Sequence, residues 1–388
     1  MYDSIVIGAG VAGSVIAREF AERMNKRVLV LEQRAHIGGN CYDEYDDDHI
    51  LVHTYGPHIF HTNKKRVYEY LSRFTKWYPY SHEVVANVHG TFLPVPFNLN
   101  SLYQVYGEEK GKELEQKLKD TYGEGARVSI LELKQNKDEE IQQVADYVYE
   151  NVFLHYTMKQ WGQTPDEIDQ SVMNRVPVLI SRDNRYFQDT WQGMPEDGYT
   201  PMFEAMLSHD NIDVLLNVKA KERIAFVDGD IFLDGKKFDG EVIYTGPVDE
   251  LFEFQYGRLP YRTLHFQFEH FEEDYVQSHG VVNYTVSEDY TRITEFKHMT
   301  GQKVPGTTIM KEYPGAYTGE DGEIPYYAIL NEENRTNYQK YCELLSQYKK
   351  VYLLGRLAEY QYYNIDAMVE KALELADKIE GNDRMEVK

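Results

Sequence analysis

The residues best suited to chemistry stand at the start of the chain: Gly8-Ala9-Gly10-Val11-Ala12-Gly13, then Glu32 nineteen positions after Gly13. Together they suit a dinucleotide. Gly8 permits a tight turn, Gly10 lets backbone approach a pyrophosphate, and Gly13 lets a helix pack closely on a strand. Val11 and Ala12 open that helix, whose N-terminal N–H groups face the phosphates. Glu32 offers its carboxylate to ribose hydroxyls. The surrounding elements agree. Tyr2-Asp3-Ser4-Ile5-Val6-Ile7 reads as a strand entering the turn, and Arg27-Val28-Leu29-Val30-Leu31 as a second strand ending at the acid. A tight turn in another kind of α/β protein leaves Glu32 unexplained.

Beyond the acid comes Gln33-Arg34-Ala35-His36-Ile37-Gly38-Gly39-Asn40. A second glycine turn suits a ligand that continues past the first phosphate turn. The residues alone leave FAD and NAD open, with a modest preference for FAD. The stretch resembles the FAD-binding half of glutathione-reductase-like flavoproteins, where an Arg and a Gly-Gly pair follow the acid. Gln33, Arg34, Gly39 and Asn40 are therefore cofactor-binding candidates.

Composition excludes several functions. A chain of 388 residues is long for one core, so two or three domains are expected. The formal charge of −23 argues against nucleic acid or an anionic membrane as partner. An anionic ligand must then meet a local cluster of arginines. Two cysteines, Cys41 and Cys342, make neither a disulfide framework nor a zinc site. No apolar run approaches the ~18 residues of a membrane span. With a strand expected directly after Met1 leaving no room for a signal peptide, the expectation is a cytoplasmic protein. The 33 tyrosines are unusual. Most are expected in strands and helices, and only those beside other candidates are assigned a role, in sugar or base recognition.

The expected fold is α/β: a Rossmann-like FAD-binding domain with a helical insert domain and an antiparallel β-sheet domain. Residues 1–63, with about 239–255 and 345–388, are assigned to the FAD domain. About 64–190 is read as helical, on the 3.6-residue period of Ile141, Val144, Ala145, Val148 and Val152. Thr164-Pro165-Asp166-Glu167 reads as a helix start, and a mobile lid is placed near 171–185. After residue 210 the period changes to two; about 191–238 and 256–344 are assigned to the sheet, with Asp228-Gly229 as a hairpin turn. Near the end, a strand leading to Gly355-Arg356 is expected to bring Arg356 to the pyrophosphate. The helix from about Asn364 is expected to aim its positive end at a flavin ring.

Further blocks follow in order: Tyr55-Gly56-Pro57-His58-Ile59-Phe60-His61-Thr62, Tyr156-Thr157-Met158-Lys159-Gln160-Trp161, Asn174-Arg175-Val176-Pro177, Tyr290-Thr291-Arg292-Ile293-Thr294-Glu295, Pro325-Tyr326-Tyr327, Gly355-Arg356-Leu357-Ala358 and Tyr360-Gln361-Tyr362. With them the chain resembles the bacterial UDP-galactopyranose mutases along essentially its whole length. That resemblance implies a redox-neutral isomerase interconverting UDP-galactopyranose and UDP-galactofuranose on reduced FAD, through a covalent flavin N5–sugar adduct. It also implies an unidentified flavin reductant and a homodimer. Such chemistry asks chiefly for positioning, and for positive charge where the diphosphate leaves.

Carried over residue by residue, Arg175 and Arg292 match arginines that bind the diphosphate, and Tyr327 and Tyr362 match tyrosines that donate to it. Tyr156 matches the residue stacked on uracil, with Phe153 beside it, and Tyr186 lies near the nucleotide end. Trp161 matches a sugar-pocket tryptophan, and Asn87 and Asn283 are sugar-pocket amides. His58 matches a histidine beside the flavin, with His61 close behind; Gly56, Gly355, Arg356 and Asn364 complete the cofactor set. One departure stands out: Asn364 occupies a position where the family often has Asp, and Asp366 follows two residues later. The alternatives are a redox flavoenzyme of the amine-oxidase or desaturase kind, and a flavoprotein that only binds UDP-sugars or partner proteins. The first needs an apolar tunnel and has no use for a diphosphate cluster; the second retains function when Arg175 or Arg292 is replaced.

Overall fold

The computed structural model describes residues 2–162, 164 and 177–386, with side chains to residue 382. A five-stranded parallel sheet lies at its centre, in the order Ile212–Leu215, Val28–Leu31, Ser4–Ile7, Glu241–Tyr244 and Val351–Leu353. The first two strands of the chain are buried at every position, because both faces of the sheet are covered. Val6, Val28, Val30 and Ile243 point toward the helices Val11–Arg23, Tyr199–Leu207 and Ile365–Glu386. Ile5, Ile7, Leu29, Leu31 and Val242 point the other way, onto Ile224, Ile231 and Phe238. This is the Rossmann-like arrangement, with the glycine turn at the carboxyl end of the Ser4–Ile7 strand.

Residues 191–238 do not all join the antiparallel sheet, as the sequence reading has it. Ile212–Leu215 is the edge strand of the parallel sheet, and Ile224–Val227, Asp230–Leu233 and Lys236–Phe238 form a small sheet covering its far face. Local alternation announces strands without saying which sheet they enter. Trp191–Pro195 bridges Phe60–Thr62 and Trp77–Tyr78. The Asp43 carboxylate accepts the N–H groups of Tyr199 and Thr200 at 2.6 and 2.8 Å, a cap that Gly198 cannot supply to its own helix.

A seven-stranded sheet faces the nucleotide domain, in the order Tyr327–Ala328, Tyr261–Phe271, Thr307–Ala316, Arg292–Glu295, Val281–Tyr284, Val84–Val88 and Thr91–Val95. It is antiparallel except where Val281–Tyr284 runs parallel to Val84–Val88. Residues 84–95 therefore belong to this sheet and not to the helical insert. Their hairpin turns at His89-Gly90, both with positive φ. The insert holds Leu99–Tyr122, Ile130–Lys134 and Glu139–Val148, and the period-matched Ile141, Val144, Ala145, Val148 and Val152 are all buried. The last helix passes through a π-helical segment, Tyr149–Leu154, into His155–Trp161. Such segments concentrate at functional sites.

Residues 165–176, which hold the rest of the expected helix start and the first part of the lid, including Arg175, lie outside the described residues. The rest of the lid stretch is anchored. Val178–Leu179 pairs with Arg127–Val128, and Asn98 holds the Asp183 carbonyl and the Asn184 side chain. Among the described residues no helix is long and apolar enough to cross a membrane.

Candidate active site

The glycine turns build a cofactor cleft. Gly8 has φ +103°, and a Cβ there would stand 2.0 Å from Thr245 Oγ1. A Cβ on Gly13 would stand 1.9 Å from the Gly8 carbonyl oxygen, so helix and strand meet only because it is glycine. Gly10 and Gly39 approach backbone to backbone: a Cβ on Gly39 would lie 2.9 Å from Gly10 Cα. Glu32 pins both turns, accepting the N–H groups of Ala9 and Arg34 at 2.8 Å each. The helix opening at Val11 and Ala12 has no side-chain cap and no acid in its first turn, which leaves its N–H groups for an anion.

Arg34 lies over the Tyr55 ring at 4.4 Å and donates through Nη2 to Asn40 Oδ1 at 2.9 Å. Its Nη1 is buried without a protein partner, and so is the hydroxyl of Tyr326, which is 4% exposed. The two groups are within electrostatic reach of each other. Buried donors without partners suit a ligand with acceptor oxygens. The glycine cradle, the open helix terminus and these donors fit an FAD. Gly355, with φ +123°, sits beside Ala12 and Thr245, while Gln33 is exposed at the rim. Asn364 precedes the final helix, its carbonyl accepting from Met368 N–H; Asp366 binds Thr62 Oγ1 instead of entering the site.

Opposite the cleft, one row of the seven-stranded sheet places Asn283, Arg292, Glu312 and Phe266 directly across from one another. Cross-strand partners share a face, so these side chains stand side by side. Glu312, 0% exposed, accepts from Arg292 Nε at 2.8 Å and Nη2 at 2.7 Å. Burial is the largest single influence on Arg292 and lowers its pKa, but Glu312, Tyr156 and Tyr327 together more than offset it, and the guanidinium stays charged. Asn283 Oδ1 is buried without a protein partner.

Around this row gather Tyr156 and Tyr327, both in electrostatic reach of Arg292. Tyr327 also meets Trp161 at 5.9 Å and Tyr362 at 6.1 Å, and the Arg356 guanidinium lies 4.9 Å from the Tyr362 ring. Burial raises the Tyr156 hydroxyl well above its ordinary value, and burial with Glu312 nearby pushes Tyr327 up to about 12. Both remain protonated at neutral pH and so can donate to an anionic oxygen. Tyr186 joins beside Tyr156 and His82.

His58 stands where the two halves meet, with Arg356 and Arg292 both acting on it. Its Nδ1 lies 2.9 Å from the Gly56 carbonyl, so Nδ1 carries the proton and Nε2 keeps its lone pair. Its backbone N–H donates to His53 Nδ1 at 3.1 Å. Burial, then His53, Arg356 and Arg292, push His58 down to about 3; burial and Arg292 do the same for His82, which is 5% exposed. Both rings are thus neutral when folded, while the unfolded chain binds their protons below a pH of about 6.5. Their stabilisation is complete above that pH and is lost progressively as pH falls toward 3. His82 alone is worth about 1.4 kcal/mol per pH unit across that window. The urea midpoint is expected to fall from pH 7 to pH 5 and to stay level from pH 7 to pH 8.

Not every candidate is brought in. Phe153 is buried in the helical core and stacks with Tyr149. Asn87 closes a hairpin, its Oδ1 accepting from Gly90 N–H at 2.8 Å. His61 pairs with Asp189 at 2.9 Å and stacks on Phe187, in reach of His82 rather than in the cluster around Arg292. Sequence reading missed Glu312 and Tyr326 as site residues. Glu312 had a signal: it shares its strand phase with the buried Thr308 and Met310, where an acid is out of place. Tyr326 had none beyond its neighbour Tyr327.

Comparison with known proteins shows the family and the fold. The family model for UDP-galactopyranose mutase matches residues 151–362, and that for an NAD(P)-binding Rossmann-like domain matches residues 6–74. A UDP-galactopyranose mutase of Mycoplasma genitalium is 36% identical over 97% of this chain and 95% of its own. A dTDP-fucopyranose mutase of Escherichia coli is 34% identical over 96% of this chain and 97% of its own. The fold matches a crystal structure of reduced UDP-galactopyranose mutase with a TM-score of 0.72 at 16% identity, covering 98% of this chain and 94% of that one. The chain is an enzyme of the UDP-galactopyranose mutase family.

Proposed function

We propose that this enzyme interconverts UDP-galactopyranose and UDP-galactofuranose, redox-neutrally, on reduced FAD. The observation that carries the reading is Arg292, oriented by buried Glu312 and ringed by the protonated hydroxyls of Tyr156 and Tyr327, across the cleft from the glycine cradle. In a chain of formal charge −23 this is a built anion site, not a general attraction. An FAD held by the glycine turns with Glu32 and Arg34 would, when reduced, supply the nucleophilic chemistry at the sugar's anomeric carbon as the UDP leaves. The protein's own residues do the rest. Arg292, Tyr327 and Tyr362 bind the diphosphate as it leaves and returns, with Arg175 their expected companion. Tyr156 offers a face to uracil, while Trp161 and Asn283 orient the sugar. Neutral His58 offers Nε2 as an acceptor beside the ring and adds no positive charge of its own. An unidentified donor keeps the flavin reduced.

The test is turnover of UDP-galactofuranose followed by chromatography, with the bound flavin oxidised and then reduced by dithionite. Conversion only in the reduced state, with no reductant consumed per turnover, is the expected result. No conversion in either state despite bound FAD overturns the reading and favours a redox flavoenzyme. The E. coli relative gives a second substrate reading, a dTDP-linked 6-deoxy sugar. Faster turnover of that sugar in the same assay selects it.

A further inference from the structure

The helix His155–Trp161, which carries Tyr156 and Trp161, is held by two cations that bond backbone carbonyls. The ammonium of Lys159 donates to the carbonyls of Tyr284 at 2.6 Å, Glu288 at 2.8 Å and Tyr290 at 3.1 Å. Those three residues shape the turn between the strands Val281–Tyr284 and Arg292–Glu295. All three donors of the ammonium are used. Arg262, 8% exposed, donates through Nε to the Gln160 carbonyl at 3.0 Å and through Nη2 to the Lys159 carbonyl at 3.1 Å. These carbonyls belong to the last helical turn, where a cation also complements the helix dipole. Gly162 makes room: a Cβ there would stand 2.6 Å from Arg262 Nη1.

Each cation ties the helix to a different part of the site. Lys159 ties it to the turn leading into Arg292. Arg262 is the register partner of Tyr327, and its carbonyl accepts the Tyr326 N–H at 2.8 Å. A third tie is neutral: Thr285 Oγ1 donates to the Asn151 carbonyl at 2.6 Å, joining the same turn to the π-helical segment.

We propose that Lys159 and Arg262 are positioning residues for the substrate nucleotide, locking the helix of Tyr156 and Trp161 to the Arg292 turn and the Tyr327 strand. Neither need touch substrate. They set the spacing between the face that stacks on the base and the groups that bind the diphosphate, which a nucleoside diphosphate must span as a rigid pair of contacts. Such spacing governs binding more than chemistry, because the distance from base to diphosphate is the same in ground and transition states, whatever charge develops on the diphosphate itself. The inference rests on reading this site as a UDP site.

The experiment uses the FAD-loaded enzyme, with UDP binding measured by calorimetry and turnover measured on the reduced protein. Lys159→Met is expected to raise the UDP Kd and the substrate KM about tenfold while kcat changes less than about threefold and FAD content holds. Lys159→Arg, which restores donors, is expected to recover most of the affinity. An unchanged UDP affinity in Lys159→Met, or a loss matched by an equal loss of FAD, overturns the proposal. Should Lys159→Met not fold, Thr285→Val decides on the same terms, with about threefold weaker UDP binding expected. Wild-type enzyme that binds no UDP sinks the site reading and the clamp together; wild-type binding with unaffected variants sinks the clamp alone.

Discussion

Arg292→Ala is expected to lower kcat/KM by about a thousandfold while the flavin spectrum is retained. Arg292 is the described cation best placed to meet the diphosphate that the proposed reaction releases, and Glu312 holds it in one orientation through two hydrogen bonds. A guanidinium so held needs no reorganisation as charge develops, which is why its loss falls on the transition state. Because Glu312 is fully buried, Arg292→Ala also strands a carboxylate and is expected to lower stability. Two companions separate these effects. Arg292→Lys keeps the charge but loses the fork, and is expected to retain stability while losing about a hundredfold in kcat/KM. The double variant Arg292→Ala/Glu312→Gln is expected to regain stability and remain as inactive as Arg292→Ala. Steady-state rates, with thermal midpoints on the same samples, check all three. Full activity in Arg292→Ala would leave the diphosphate assignment without support.

Gly13→Ala is expected to yield protein without FAD and less stable by about 3 kcal/mol or more. The added methyl would stand 1.9 Å from the Gly8 carbonyl oxygen, against backbone that cannot turn aside. Relieving that contact lifts the helix Val11–Arg23 off the first strand, and with it the uncapped N–H groups proposed to meet the cofactor phosphates. The helix packs heavily on Ile365–Glu386, so the strain spreads to the chain's C-terminal end. Gly381→Ala is the control. It lies in that last helix with nothing near its Cβ position, and is expected to be neutral or to stabilise by about 1 kcal/mol. FAD absorbance per protein and denaturant midpoints measure both. A fully loaded Gly13→Ala would show that this glycine is not there for close packing.

The local chemistry was legible because it is local. Gly8, Gly10, Gly13 and Glu32 lie within one strand–turn–helix–strand unit, so spacing alone carries their geometry. The resemblance blocks then named Arg292, Tyr156, Trp161, Tyr327, Tyr362 and His58, which the fold gathers around one cleft. The long-range pairings were not legible. Glu312 reaches Arg292 only because two strands share a register, and a slip of one residue would send it to the other face. Ile212–Leu215 reads as any short strand, and only its pairing with Val28–Leu31 makes it part of the nucleotide domain. Asn87 and Phe153 were assigned to the sugar and base by resemblance, yet in this chain one closes a hairpin and the other fills a core.

From the sequence by itself, then, came the glycine cradle, the family and the types of residue proposed to meet a diphosphate. All of these rest on neighbours in the chain or on blocks read one at a time. Tertiary structure decided which side chains face one another: Glu312 against Arg292, Tyr326 beside Arg34, and Lys159 and Arg262 on the carbonyls that fix the site's spacing. The physical reason is that burial and register set charge and orientation, and both are properties of the folded sheet rather than of any stretch of chain.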